Sequence, residues 1–210
     1  MVRTAVLVSG GGSNLQAILA SQLFGEIQNC NLVSVISSNP GAYALDRARA
    51  AGIEVSVVDV STFPTKRTFN TALMQKLGDL DIELVVLAGF MQVLQRPICK
   101  EYENRIMNVH PSLIPAFCGP GQYGLHVHQQ VLDYGVKVSG ATVHFVTEEV
   151  DGGPIILQKA VDVLPDDTAK TLQRRIMEQA EWEILPKAID LFCRGKLTVE
   201  GRRVRIDEGA

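Results

Sequence analysis

Apolar residues in the first half of the chain concentrate in short runs: VRTAVLVS (2–9), CNLVSVISS (30–38), IEVSVVDV (53–60) and IELVVLAGF (82–90). Each is rich in valine and isoleucine and bounded by turn residues, the pattern of a strand buried on both faces. Between them, NLQAILASQLF, YALDRARAAG and FNTALMQKLGDL carry apolar residues at helical spacing, and two of the three stop near glycine. The order is therefore β-α-β-α-β-α-β. Parallel neighbours need a crossover helix, so the pattern predicts a mostly parallel sheet with helices on both faces, a doubly wound α/β fold. Downstream, ENRIMNVH reads as another strand. A glycine-rich loop, a helix around HVHQQVLDYG and two strands, GATVHFVTEE and PIILQKAVDV, come next. A long helix from about Thr168 to Cys193 and a hairpin, KLTVEGRRVRI, turning at Glu200 and Gly201, complete the prediction. No repeat, low-complexity tract or linker divides the chain, so residues 1–210 read as one domain.

Composition narrows the choice of partner. With 46% hydrophobic residues the chain can bury a sizeable core, and a net charge of -3 leaves no basic stripe for a phosphate polymer. Small molecules fit better than nucleic acid. The four cysteines lack CxxC spacing, which suits reduced thiols in a cytoplasmic protein better than a disulfide frame or a zinc knuckle. No metal is implied. The first strand begins almost at once after Met1, without a charged leader, and no apolar run reaches membrane length. The expectation is a cytoplasmic protein that neither enters nor crosses a membrane.

Three stretches could carry chemistry. SGGGSN, Ser9 to Asn14, lies between the first strand and the first helix. Glycines there let backbone N–H groups approach an anion, and the helix start adds partial positive charge, so Gly11, Gly12, Ser13 and Asn14 make a candidate phosphate seat. The alternative is a tight turn capped by Ser13. Neither a dinucleotide fingerprint nor a P-loop fits: Leu15 stands where a third glycine belongs, and the P-loop lysine is missing. The second stretch is NVHPSLIP. In an open parallel sheet, ligands bind beyond the carboxyl ends of the strands, and RIMNVH places Asn108 and His110 at such an end, on one side of the extended chain. Pro111 biases His110 toward an extended backbone. An asparagine amide can donate to a developing oxyanion and an imidazole can move a proton, though a lone histidine is more often structural. The third is Asp151 in EEVDGGPIIL, either a plain hairpin turn or a carboxylate that fixes the tautomer of His110 and raises its pKa. His126 and His128 are expected to begin a helix and His144 to be a hydrogen-bonded strand residue. Met91 to Leu94, after AGF, suit either the core or a flat aromatic ligand.

Taken in order, SGGGSNLQAI, VVLAGFMQVL, NVHPSLIP, TVHFVTEEVDGGPIILQ and EWEILP resemble the phosphoribosylglycinamide formyltransferase family, whose fold is Rossmann-like. The resemblance runs from the first strand to the last helix. It implies transfer of a formyl group from 10-formyltetrahydrofolate, a cosubstrate, to glycinamide ribonucleotide in purine biosynthesis, with no tightly bound cofactor and no metal. It also implies residue roles. Asn108, His110 and Asp151 match the catalytic trio. Gly11, Gly12, Ser13 and Asn14 fall on the ribonucleotide's phosphate loop, and Glu181 falls where the family holds the glycinamide end. Met91, Gln92, Val93 and Leu94, with Asn108, match the folate side, and Lys66 matches a basic position near it. Three departures stand out. Gly11 replaces a frequent asparagine, Lys66 replaces a frequent arginine, and AFCGPGQYGLH (116–126) is longer than the compact loop of many relatives, as a cover or as a changed substrate entrance. Formyltetrahydrofolate hydrolase and sugar formyltransferases are the related alternatives, and a non-catalytic nucleotide-binding module is the alternative of another class. A homodimer is compatible with all of them.

Overall fold

The computed structural model describes residues 1–207. Its first half follows the expected alternation: β1 (Val2–Val8), α1 (Ser13–Leu23), β2 (Cys30–Ser37), α2 (Ala44–Ala50), β3 (Glu54–Val57), α3 (Lys66–Asp79) and β4 (Leu84–Leu87). There follow α4 (Arg96–Glu101), β5 (Ile106–His110), α5 (Leu125–Tyr134), β6 (Val138–Phe145), β7 (Ile155–Asp162), α6 (Ala169–Ile176), α7 (Trp182–Cys193), β8 (Leu197–Glu200) and β9 (Arg203–Ile206). The strands form one sheet in the order β3-β2-β1-β4-β5-β6-β7-β9-β8. The first five run parallel, whereas β6 is antiparallel to both β5 and β7. A mostly parallel mixed sheet results, with the antiparallel hairpin inserted beside the strand that carries Asn108 and His110.

Alternation along the strands feeds two cores. Val6, Val8, Val86, Met107 and Val109 join Leu15, Ile18, Leu185 and Ile189 on one face; Ala5, Leu7, Val85, Leu87 and Ile106 join Phe69, Leu73 and Ile98 on the other. Each such Leu, Ile or Val contributes about 1.5–3 kcal/mol through burial, so a slip of one residue in any strand would exchange the two faces at large cost.

The differences from the sequence reading are local. The run 53–60 pairs only over Glu54–Val57, because Asp59 turns the chain into a 3-10 turn at Val60–Thr62 by accepting from the Ser61 N–H at 2.9 Å. The short α4, with proline in its first turn, was not expected. The final hairpin turns one residue later, at Gly201 and Arg202, with Glu200 paired to Arg203. The long helix runs from Ala169 to Cys193 but is interrupted by a π-helical turn at Met177–Glu181. That turn precedes Pro186, which withholds the N–H that would continue the ladder. Such turns insert an extra residue into the helical register and favour functional sites. Here the inserted turn ends on Glu181.

Candidate functional site

The order β3-β2-β1-β4-β5 changes direction between β1 and β4, and the loop after β1 opens at that point. Gly12, at φ 75°, caps α1 in the left-handed region, and no side chain caps the helix. Ser13 points its hydroxyl at the sulfur of Met177 instead, at 3.8 Å, so the reading of a turn capped by Ser13 does not hold. A side chain at position 12 would be impossible without movement: its Cβ would meet the Ala44 Cβ at 2.6 Å. Loop carbonyls turn toward α2, where Ala44 N–H donates to Gly10 at 3.0 Å and Arg47 Nε to Gly11 at 2.9 Å. Among the described residues, the N–H groups of Gly11, Gly12, Ser13 and Asn14 have no partner. Unpartnered backbone donors at a helix start are what holding an anion requires.

Beside this seat, Asn14 Nδ2 donates to Glu181 Oε2 at 2.7 Å, and both residues are buried. Burial pushes the Glu181 carboxyl up to about 7, against the opposing pull of that hydrogen bond. Asn14 Oδ1 is itself buried without a partner. The pair therefore sets an unpartnered amide oxygen beside a buried carboxyl.

The second group lies at the ends of β5, β6 and β7. The register sets Asn108 opposite His144 and His110 opposite Thr142. Asn108 Nδ2 lies 3.3 Å from His144 Nε2, whose ring is anchored by Nδ1 donating to the Phe145 carbonyl at 2.8 Å. Asp151 sits between the two rings, 3.5 Å from His110 Nδ1 and 3.6 Å from His144 Nε2. Its backbone is left-handed at φ 55°. The second of the two glycines that follow is required, because a Cβ at Gly153 would fall 1.8 Å from the Phe145 carbonyl oxygen, whereas one at Gly152 would meet only the movable side chain of Glu149. The DGG sequence is therefore a forced turn that delivers a carboxylate to the strand ends.

Two expectations about this trio need correction. The tautomer of His110 is fixed by Phe117, whose carbonyl accepts from Nε2 at 2.9 Å, because Asp151 stands beyond ordinary hydrogen-bond distance. The pKa of His110 lies below its usual value rather than above it. Burial outweighs the pull of Asp151 and of the Phe117 carbonyl, and His144 adds to the lowering. Asp151 is lowered too: burial pushes it up, but His144, the charge of His110 and the Gly119 N–H together prevail. Gly119 N–H donates to Asp151 Oδ2 at 2.9 Å, so the long loop after Pro115 touches both His110 and Asp151. Of the two readings of that loop, cover and altered entrance, the contacts describe a cover over the cluster.

The folate-side positions separate. Met91 and Val93 are about half exposed, Gln92 is partly buried, and Leu94 is buried in the core with Leu73 and Ile98. Asn70 ties this segment to α3, donating to the Lys66 carbonyl at 2.9 Å and accepting from Gln95 N–H at 2.9 Å. Lys66 is exposed at the start of α3. His126 and His128 do begin a helix; His128 is buried, with its pKa lowered to about 4 by burial and then by His110. Among the described residues, no His, Cys, Asp or Glu cluster could hold a metal ion, and no helix is long and apolar enough to cross a membrane.

His144 and Arg47 touch the site without a place in the sequence reading, and the Phe117–Gly119 backbone touches it within the loop read as a cover or a changed entrance. For His144 the available signal was the shared alternation of NVH and TVH on adjacent strands; backbone contacts from a loop leave no signal of this kind.

A family model described as formyl transferase matches residues 2–189. The chain is 37% identical to phosphoribosylglycinamide formyltransferase of Escherichia coli (strain K12), over 96% of this chain and 92% of that protein. It is 42% identical to the trifunctional purine biosynthetic protein adenosine-3 of Gallus gallus, over 94% of this chain but only 19% of that protein, so it spans about a fifth of that relative. Glycinamide ribonucleotide transformylase 1 from Symbiobacterium toebii has a similar structure, with a TM-score of 0.91 at 48% identity, covering 98% of this chain and 94% of the other. The uncapped seat, the three strand-end side chains and a family match running from β1 into α7 lead to one assignment: the chain belongs to the formyl transferase family.

Proposed function

We propose that the protein transfers the formyl group of 10-formyltetrahydrofolate to the amine of glycinamide ribonucleotide, in purine biosynthesis. The observation that carries this reading is the pairing of an uncapped four-amide anion seat with a cluster of part-buried amide, buried imidazole and part-buried carboxylate at adjacent strand ends. The ribonucleotide's phosphate takes the amides of Gly11 to Asn14, and its glycinamide amine lies toward Glu181. Folate lies along Met91 and Val93, with its acidic tail toward Lys66 as a point charge. The partners are thus small molecules, the formyl folate acts as a cosubstrate, and a cytoplasmic location fits the reduced cysteines.

Attack of the amine on the formyl carbon places negative charge on the formyl oxygen and makes the attacking nitrogen acidic. Asn108 donates to that oxygen. Neutral His110 can do the same through the Nε2–H now given to Phe117, as buried neutral imidazoles do elsewhere. Asp151, held ionised, accepts the proton released by the amine, directly or through water, on its way to the departing folate nitrogen. Much of the rate comes from holding two substrates together.

The deciding experiment follows tetrahydrofolate release spectroscopically with and without glycinamide ribonucleotide. Release that depends on the ribonucleotide is expected. Release into water alone would replace the transferase reading with a hydrolase.

A further inference from the structure

A phosphate monoester is close to doubly charged at neutral pH, and four neutral amides satisfy its hydrogen bonds without neutralising it. The loop has no lysine, and Gly11 brings no side chain. The structure nevertheless places a permanent cation in the wall of the seat. Arg47, in the last turn of α2, lines the same cavity as Gly11, Ser13, Asn14 and Tyr43. Three contacts fix its guanidinium: Nε donates to the Gly11 carbonyl at 2.9 Å, one Nη donates to Gln16 Oε1 at 2.9 Å, and the group lies 5.0 Å from the centre of the Tyr43 ring. None of these partners is charged. Among the described residues, no carboxylate lies within ion-pair distance of Arg47; its neighbour Asp46 is engaged by Arg49 at 2.9 Å. Its second Nη makes no hydrogen bond among the described residues.

We propose that Arg47 is the charge partner of the substrate's phosphate and the residue by which the seat distinguishes a ribonucleotide from its riboside. This rests on the formyltransferase reading and extends it. Nε holds the Gly11 carbonyl toward α2, which keeps the loop amides facing the ligand. The free Nη donors supply the positive charge, and a rigid fork held on three sides loses little freedom when it meets the phosphate.

The test compares wild type, Arg47→Gln and Arg47→Lys with two substrates, glycinamide ribonucleotide and the same molecule without its phosphate. For the ribonucleotide, Arg47→Gln is expected to lower kcat/KM about thirtyfold and Arg47→Lys by less, since lysine keeps charge but not the fork. For the riboside, all three proteins should agree within about threefold, and the KM for the formyl folate should not move. An equal loss on both substrates would overturn the proposal, because Arg47 would then only hold the loop; so would no loss on either. If wild type turns over neither substrate, the formyltransferase reading fails by itself, and calorimetric titration with ribose 5-phosphate still decides the role of Arg47. About tenfold weaker binding by Arg47→Gln supports it, and equal binding refutes it. Should the glutamine variant fail to fold, the lysine variant in the same titration carries the decision.

Discussion

The seat after β1 and the cluster at the ends of β5, β6 and β7 are both polar, yet their hydrogen bonds stand in opposite condition. At the seat, four amides have no partner among the described residues, and Ala44 and Arg47 donate to the loop's carbonyls rather than occupying those amides. At the cluster, the chain occupies its own chemistry: Phe117 takes the His110 proton donor and Gly119 binds the Asp151 carboxylate. The difference follows from what each is made of. Backbone amides at a helix start are fixed by the helix and lose little by staying solvated. A carboxylate and an imidazole in a nearly dry crevice cannot stay unsatisfied at tolerable cost, so the loop supplies partners that substrate atoms must later replace. Binding energy gained at the open seat can therefore support rearrangement at the closed cluster.

The largest expected effect breaks the cluster alone. His110→Ala removes the donor aimed at Phe117 and should lower kcat about a thousandfold. Binding of both substrates should remain within about threefold of wild type, because the ring touches neither the seat nor Met91. Stopped-flow turnover together with equilibrium folate binding checks this. A comparable loss of ribonucleotide binding would show that the two regions are not separable.

A smaller effect breaks the seat alone. In Gly12→Ala the new methyl meets Ala44 and the backbone must leave φ 75°, a strain of about 2 kcal/mol. The expected result is about a thirtyfold loss in kcat/KM for the ribonucleotide with the folate KM unchanged. Unchanged kinetics would mean that the loop amides do not hold the phosphate.

The contrast also explains what could be read from the sequence. The seat was legible because it is local: strand, glycines and helix start adjoin in the chain. Asn108 and His110 were legible as a pair because alternation places them on one side of β5. His144 was legible only as a strand residue, since its place beside Asn108 depends on the antiparallel register of β6, which no local pattern specifies. Nothing local marks Arg47 within the helical stretch YALDRARAAG, and its role appears only when α2 packs against the loop after β1. The sign of the His110 shift was misjudged for a related reason. Its partner carboxylate was visible in the sequence, but the loop and core that bury the ring were not.

Glu181 sharpens the comparison, because it is bonded to Asn14 of the seat but is buried like His110. Its carboxyl, ordinarily near 4.5, is pushed up to about 7 by burial. Below pH 4.5 folded and unfolded chains both hold the proton, so burial then costs no ionisation penalty. As pH rises from 4.5 to about 7, the unfolded chain releases the proton and the folded chain keeps it, so stability falls; above about 7 the difference is constant. At about 1.4 kcal/mol per pH unit, the loss reaches about 3 kcal/mol. Glutamine at this position can still accept from Asn14 and never ionises. Glu181→Gln should therefore gain up to about 3 kcal/mol over wild type at pH 8 and almost nothing at pH 4.5, while losing turnover with glycinamide ribonucleotide. Urea unfolding at the two pH values, read beside the kinetics, tests both halves. Parallel pH dependence in the two proteins would remove the buried carboxyl from the account. A more stable but inactive variant would show that the seat keeps a destabilising group because the amine needs it.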